Sequence, residues 1–321
     1  MIKLLKSNKI ITSLLLIICL LFIINPSYYA NSCLNAVSVW AFKVFPLLFP
    51  FFIFTRLILN LTQIKPNAMD KFFSKTYHTP SGSFFVFCLS IMCGYPMGAK
   101  LISGLYENNQ ISRDDAKKML SFCSVSGPMF MIGTVGVTVL CSYKAGLIIF
   151  ICNLISALIN GIIFRGKASE TKPKYSNKPK NNILADSVYD SLISILMVGA
   201  HIILSFLIID LLKEIQVLPI ISKSICCVFN NNIPSNVVEA TLSGMVEITR
   251  GIIDLSATSL SLKIKTIVSG GLIGFGGISI LLQSVSFLTK LNLPIKTLLI
   301  QKIFQCLICT ILSIPFCLLL L

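Results

Sequence analysis

Charge is what this sequence has least of. Only 12% of its 321 residues are Asp, Glu, Lys or Arg, against 55% hydrophobic, where soluble domains carry about 25% charged residues. Mean hydropathy is +0.86. The deficit excludes an ordinary soluble domain and puts the chain in the membrane class. Catalytic motifs are missing too. Neither GxSxG nor HExxH occurs, and His78 lies in a polar loop, so no enzyme and no cofactor is expected. The cysteines sit mostly inside apolar runs (Cys19, Cys88, Cys123, Cys152, Cys317) and read as small buried hydrophobes rather than a disulfide framework. The CLIC at Cys306–Cys309 has metal-like spacing but no second pair and no histidine, so no metal is expected there.

What the chain does have is a series of apolar runs. A transmembrane helix needs about 20 residues with little charge. Met119–Leu140, Ala145–Phe164, Thr266–Leu288 and Ile303–Leu321 meet that or come close. Ser191–Leu212 does so apart from His201 and Asp210, and Ala36–Leu59 does so if Lys43 and Arg56 lie near its ends or face protein. Ile10–Tyr29 is a shorter first run behind MIKLLKSNKI. The NPSYYANS after it offers no clean small-x-small cleavage site, so residues 1–35 read as an uncleaved anchor helix and loop. The net charge of +15 follows the positive-inside rule. Lys3, Lys6 and Lys9 precede the first run, and the linker 165–182 holds Arg165, Lys167, Lys172, Lys174, Lys178 and Lys180 against Glu170. Both are expected on the cytoplasmic side. No basic motif interleaved with aromatics stands out, and nucleic acid is not an expected partner.

Threading the runs from a cytoplasmic N-terminus places the linker 165–182 inside only if residues 83–106 fail to cross. Gly94, Pro96 and Gly98 interrupt that stretch, and such residues supply a tight turn. Residues 83–106 are therefore expected to form a re-entrant hairpin, which is tolerated at membrane depth only against protein or a water-filled cavity. The first repeat, 36–164, then contains this hairpin and a broken helix, 119–140, interrupted at Ser126, Gly127 and Pro128. Ser112, three residues before Asp115, marks a helix start. The second repeat, 183–321, follows the same order. A polar connector with Asn230, Asn231 and Asn232 leads to a hairpin over 237–258, a broken helix over 266–288 rich in glycine, and a last span with a kink at Pro315. Aligning Gly94 with Gly244 puts Lys100 opposite Arg250, each six residues on. The halves enter from opposite sides, so the expected fold is an all-α polytopic membrane protein with inverted repeats and an extra N-terminal helix.

Paired interrupted segments are the best sequence pointer to a transporter's binding site, because a half-helix N-terminus offers free N–H groups to an anion. The candidate substrate contacts in the first half are Gly94, Tyr95, Pro96, Gly98, Lys100, Ser124, Ser126 and Gly127. Those in the second are Glu247, Arg250, Ser269 and Gly274. A lysine or arginine at the bilayer centre costs about 2.5–3.5 kcal/mol on insertion scales. Glu239 or Glu247 could pair with Arg250, whereas no acid lies between Ser83 and Tyr106. Either Lys100 and Arg250 flank an anionic substrate, or Lys100 snorkels to the inner surface. His201 is a candidate for proton coupling or a neutral interface histidine. Ser124, Ser126, Ser269 and Ser279 either bond substrate or satisfy freed backbone groups. Tyr95 either stacks on an aromatic ligand or packs at an interface. A coupling ion, H+ or Na+, would drive uptake.

GYPMGAKLISGL followed by LSFCSVSGPMFMIGTVG resembles the sporulation integral membrane proteins of the YlbJ (SpoVV) type, in the nucleoside-recognition Gate-domain superfamily. The motif is a G[FY]PxGAK turn, a polar helix start and a small-residue-Pro break, here Gly94–Lys100 and Ser124–Pro128. The resemblance covers about residues 36–320. It implies a fold similar to concentrative nucleoside transporters and a role in endospore formation, in the mother-cell or outer forespore membrane. It also implies passage of dipicolinic acid, an aromatic dicarboxylate that would suit two cations. Many relatives carry Asn near the second break, where this chain has Ser126–Gly127–Pro128. Two alternatives stand beside a transporter of a small organic anion. One is a non-transporting Gate-domain protein that partners spore-envelope assembly. The other is a nucleoside transporter, against which Lys100 argues.

Overall fold

The computed structural model describes residues 12–13, 16, 18–61, 68–169, 182–230, 232–291 and 293–321. Lys3, Lys6, Lys9, Lys65, Asn231 and the greater part of the basic linker (170–181) lie outside the described residues. Among those described, every regular element is a helix. α1 (Pro26–Val39) continues through a π-helical turn at Trp40–Val44 into α2 (Phe45–Leu61). Then come α3 (Ala68–Tyr77), the pair α4 (Ser83–Cys93) and α5 (Met97–Glu107), α6 (Arg113–Cys123), the π-helical α7 (Met129–Val139) and α8 (Tyr143–Ile163). The second half holds α9 (Ile183–Glu214), α10 (Val217–Val228), the pair α11 (Ser235–Val246) and α12 (Ile248–Ser256), then α13 (Leu262–Phe275), α14 (Gly277–Phe287) and α15 (Ile295–Leu320).

Among the described residues, five stretches are long and apolar enough to cross a membrane: Pro26–Ile58, Tyr143–Ile163, Ile183–Glu214, Leu262–Phe287 and Ile295–Leu320. Their exterior is strongly apolar, with Phe42 and Leu319 each about four-fifths exposed, while small and polar residues turn inward. On α9 the buried positions Ser187, Ser191, Ile195 and Gly199 recur every four residues, one face of a helix. There Trp40 of the π-turn lies flat enough on Gly199 that an added Cβ would stand 2.6 Å from the indole, and Trp40 Nε1 donates to the Ile195 carbonyl at 3.2 Å. Small residues at helix contacts are the packing device expected where lipid competes for apolar surface.

Two sequence expectations are corrected here. The glycines of 270–274 do not interrupt their helix. Gly270, Gly271 and Gly274 sit inside α13, where added Cβ atoms would meet Ser313 Oγ at 2.7 Å, Thr310 Oγ1 at 2.4 Å and the Gln305 carbonyl oxygen at 3.0 Å. They let α13 and α15 approach, and only Gly276 (φ 89°) and Gly277 (φ 71°) break the helix. The connector before the second helix pair is not polar throughout, since it contains the apolar α10 with Leu218, Ser222 and Cys226 buried along one face.

The expected start of α6 is present. Ser112 Oγ accepts from the Asp115 backbone N–H at 3.1 Å and the Asp115 carboxylate accepts from the Ser112 N–H, a capping box. At the start of α4, Asp70 accepts from Gly82 N–H and Ser81 Oγ, each at 2.7 Å. A cluster of Phe73, Tyr77, Phe87 and Phe122 then packs α3, α4 and α6 together.

Candidate functional site: a cavity where helices are interrupted

Four helices stop and restart near the middle of the molecule. α4 gives way to α5 across Gly94, Tyr95 and Pro96, and α6 to α7 across residues 124–128. α11 gives way to α12 at the extended Glu247, and α13 to α14 at Gly276. The interruptions meet in pairs. A Cβ on Gly94 would stand 2.5 Å from the Gly127 backbone nitrogen, and one on Gly277 would stand 3.2 Å from the Val246 carbonyl oxygen. The halves also touch, since a Cβ on Gly276 would be 3.4 Å from Tyr95 Oη.

One cavity borders three of these interruptions and the first turns of α14, just past the fourth. Gly94 and Tyr95, Ser126 and Gly127, and Glu247 and Thr249 line it together with Ser279 and Gln283 of α14. Its other wall is apolar, from Leu48 and Phe52 of α2 and Val198 and Ile202 of α9. The volume open to the centres of water-sized spheres is ≈ 70 Å³. At about 10–15 Å³ per water on that measure, it has room for several waters; a ring-sized solute requires the walls to part. Glu247 is the one acid or base among the lining residues that is ordinarily charged near neutral pH. Its carboxylate caps α12 by accepting from the Arg250 backbone N–H at 2.7 Å and lies at the positive end of that helix.

Five expected site residues, Gly94, Tyr95, Ser126, Gly127 and Glu247, therefore line one cavity. The others lie elsewhere. Pro96 precedes α5, and Gly98 packs α5 onto the end of α6, where an added Cβ would be 2.1 Å from the Cys123 carbonyl oxygen. Ser269 and Gly274 are buried within α13. His201 faces away, donating from Nδ1 to the Met197 carbonyl one turn back at 2.7 Å.

The expected opposition of Lys100 and Arg250 across one anion is not the arrangement found, and neither lines the central cavity. Lys100 borders a separate groove with Arg56, its Nζ 5.9 Å from the Phe287 ring centroid. Arg250 belongs to an ion-pair network. It meets Asp210 at 3.3 Å and Asp254 at 3.1 Å, while Lys213 meets Asp254 at 3.4 Å and Glu239 at 3.1 Å. This network ties α9 to the α11–α12 pair, and two carboxylates already offset the guanidinium.

Sequence reasoning missed Lys302. It lies two turns into α15, 4% exposed. Its ammonium donates to Tyr95 Oη, to the Ser124 carbonyl and, at 2.8 Å, to Gln305 Oε1. The available signal was Gln301, Lys302 and Gln305 in an otherwise apolar run, spaced to share one helix face.

A comparison with known proteins finds a relative in sequence. The chain is similar to YlbJ. That protein, the sporulation integral membrane protein YlbJ of Bacillus subtilis (strain 168), is 28% identical over 328 aligned positions, which cover 93% of this chain and 80% of the relative. The similarity to YlbJ supports the YlbJ-type resemblance read from the motifs. No protein-family model matches the chain, and no solved structure does. Taken with the five candidate spans, the likeness to YlbJ makes this an all-helical, multi-pass integral membrane protein.

Proposed function

We propose that the chain is a secondary-type transporter of a small organic anion, working by alternating access around the central cavity. The observation that carries this reading is one cavity lined by three helix interruptions, drawn from both halves, and by the start of the helix that follows a fourth. Irregular backbone at membrane depth is tolerated where it lines a cavity, and transporters place their sites at such interruptions. The α4–α5 and α11–α12 pairs are, on this reading, two re-entrant hairpins. The two halves are inverted repeats, each ordered as span, hairpin, interrupted helix, span. The similar contacts Gly94–Gly127 and Val246–Gly277 support that correspondence. The N-terminus and the linker 165–182 are then cytoplasmic.

The helix starts of α5, α7, α12 and α14 give the cavity partial positive charge, and Tyr95 and Phe52 offer aromatic surface. Both suit an aromatic acid. By its resemblance to the YlbJ type, a role in endospore formation and dipicolinic acid as substrate are proposed first, at a mother-cell or outer forespore membrane. A nucleoside is the second reading, and Glu247 favours it, because a carboxylate on the cavity wall accepts hydrogen bonds from sugar hydroxyls. Purified protein in liposomes, offered labelled dipicolinate and labelled uridine separately, tests both. Dipicolinate uptake supports the anion reading, uridine uptake alone reverses it, and binding without uptake points to a partner in spore-envelope assembly.

A further inference from the structure

We propose that the ammonium of Lys302 is a built-in cation. It holds the two interruptions of the first half together at an oxygen-lined site, so that this site needs no inorganic ion. The ligand class the site takes is a monovalent cation, supplied here by the chain itself.

Nζ reaches a phenol oxygen on the α4–α5 break (Tyr95), a backbone carbonyl on the α6–α7 break (Ser124) and an amide oxygen on its own helix (Gln305). Three neutral oxygens from separate places in the chain converge on one point as acceptors for a cation. An ammonium satisfies the same set with its three N–H donors. The Ser124 carbonyl closes the C-terminal end of α6, where the helix carries partial negative charge. The Tyr95 ring adds to the attraction, its centroid 4.5 Å from Nζ. Among the described residues, no carboxylate lies within ion-pair distance of the ammonium or lines the small cavity beside it. Around the ammonium, α6, α8 and α14 contribute Ser121, Asn160 and Ser284, all neutral.

The position explains the need. Carbonyls at an interrupted helix end lack their usual intrahelical donors, and the two interruptions approach backbone to backbone here, Gly94 against Gly127 and Gly98 against the Cys123 carbonyl. A cation bridging both supplies the missing donors and fixes their relative position. Lys302 comes from the last span, 178 residues beyond Ser124 and 207 beyond Tyr95. Gln301 beside it donates to the Lys117 carbonyl of α6 at 3.0 Å, so the second half braces the first at this point.

The test removes the cation and returns one from solution. Lys302→Ala deletes the ammonium and its alkyl stem, and n-propylammonium replaces both. The full-length protein in detergent is melted in n-propylammonium chloride and in tetramethylammonium chloride at equal ionic strength. The expected result is a rise in the Tm of Lys302→Ala in the first salt relative to the second, by mass action, with no such difference for wild type. Equal responses of the two proteins, or none, would overturn the proposal.

If Lys302→Ala does not fold in either salt, Lys302→Met decides through site-resolved alkylation of Cys123, which is buried at the end of α6 beside Ser124. Faster alkylation than in wild type is expected, and an unchanged rate overturns the proposal.

Discussion

Gly94 and Gly127 meet backbone to backbone, and the contact is asymmetric. A Cβ on Gly94 would stand 2.5 Å from the Gly127 nitrogen, whereas one on Gly127 would stand 3.5 Å from Gly94, an ordinary van der Waals distance. Gly94 also adopts φ 68°, ψ −165°, a region open to glycine alone. Gly94→Ala should therefore lower stability by about 1–3 kcal/mol, while Gly127→Ala should fold like wild type. Thermal unfolding in detergent compares them, and equal losses would mean that the two interruptions do not touch as described.

Glu247 does two things that one substitution can separate. Its carboxylate caps α12 and also lines the cavity. Glu247→Gln keeps an oxygen for the Arg250 N–H, and Glu247→Ala does not. The alanine variant should lose about 1 kcal/mol of stability and the glutamine variant much less. If the substrate is an anion, removing this negative charge should lower the KM for uptake. A raised KM for Glu247→Gln would favour a hydroxyl-bearing solute instead.

Arg250 and Asp254 should be energetically coupled. The guanidinium is shared between Asp210 and Asp254, and all three side chains are less than one-quarter exposed. A double-mutant cycle with Arg250→Gln and Asp254→Asn should give a coupling energy of about 0.5–3 kcal/mol. Additive losses would show that the network contributes little.

Lys100 borders a different groove from the cavity. Lys100→Gln should accordingly keep most of its uptake in liposomes, at wild-type levels of folded protein. Abolished uptake would restore Lys100 to the substrate path.

The sequence and the structure agree where a single segment decides the outcome. Apolar runs are legible because charges are scarce, and the breaks at Gly94–Pro96 and Ser126–Pro128 are legible because Gly and Pro disrupt helices locally. The second half was harder to read. A glycine inside a run either breaks the helix or admits a neighbour, and only the partner helix distinguishes the two. Gly270, Gly271 and Gly274 admit α15, while Gly276 and Gly277 break. Lys302 was illegible for a related reason. Near the start of an apolar run, a lysine reads as a surface anchor, and its acceptors lie in the other half of the chain. Arg250 was over-read because its partners Asp210 and Asp254 come together only through the packing of α9 on α12.

The central claim is that the cavity lined by the helix interruptions of both halves is a path for solute. Uptake of labelled dipicolinate into proteoliposomes tests it most directly, with wild type compared to Gln283→Leu, which removes a polar cavity wall group on α14. The account predicts uptake above protein-free liposomes by wild type and a marked loss in Gln283→Leu at equal amounts of folded protein. Wild-type liposomes that take up neither dipicolinate nor uridine beyond the protein-free control would contradict it.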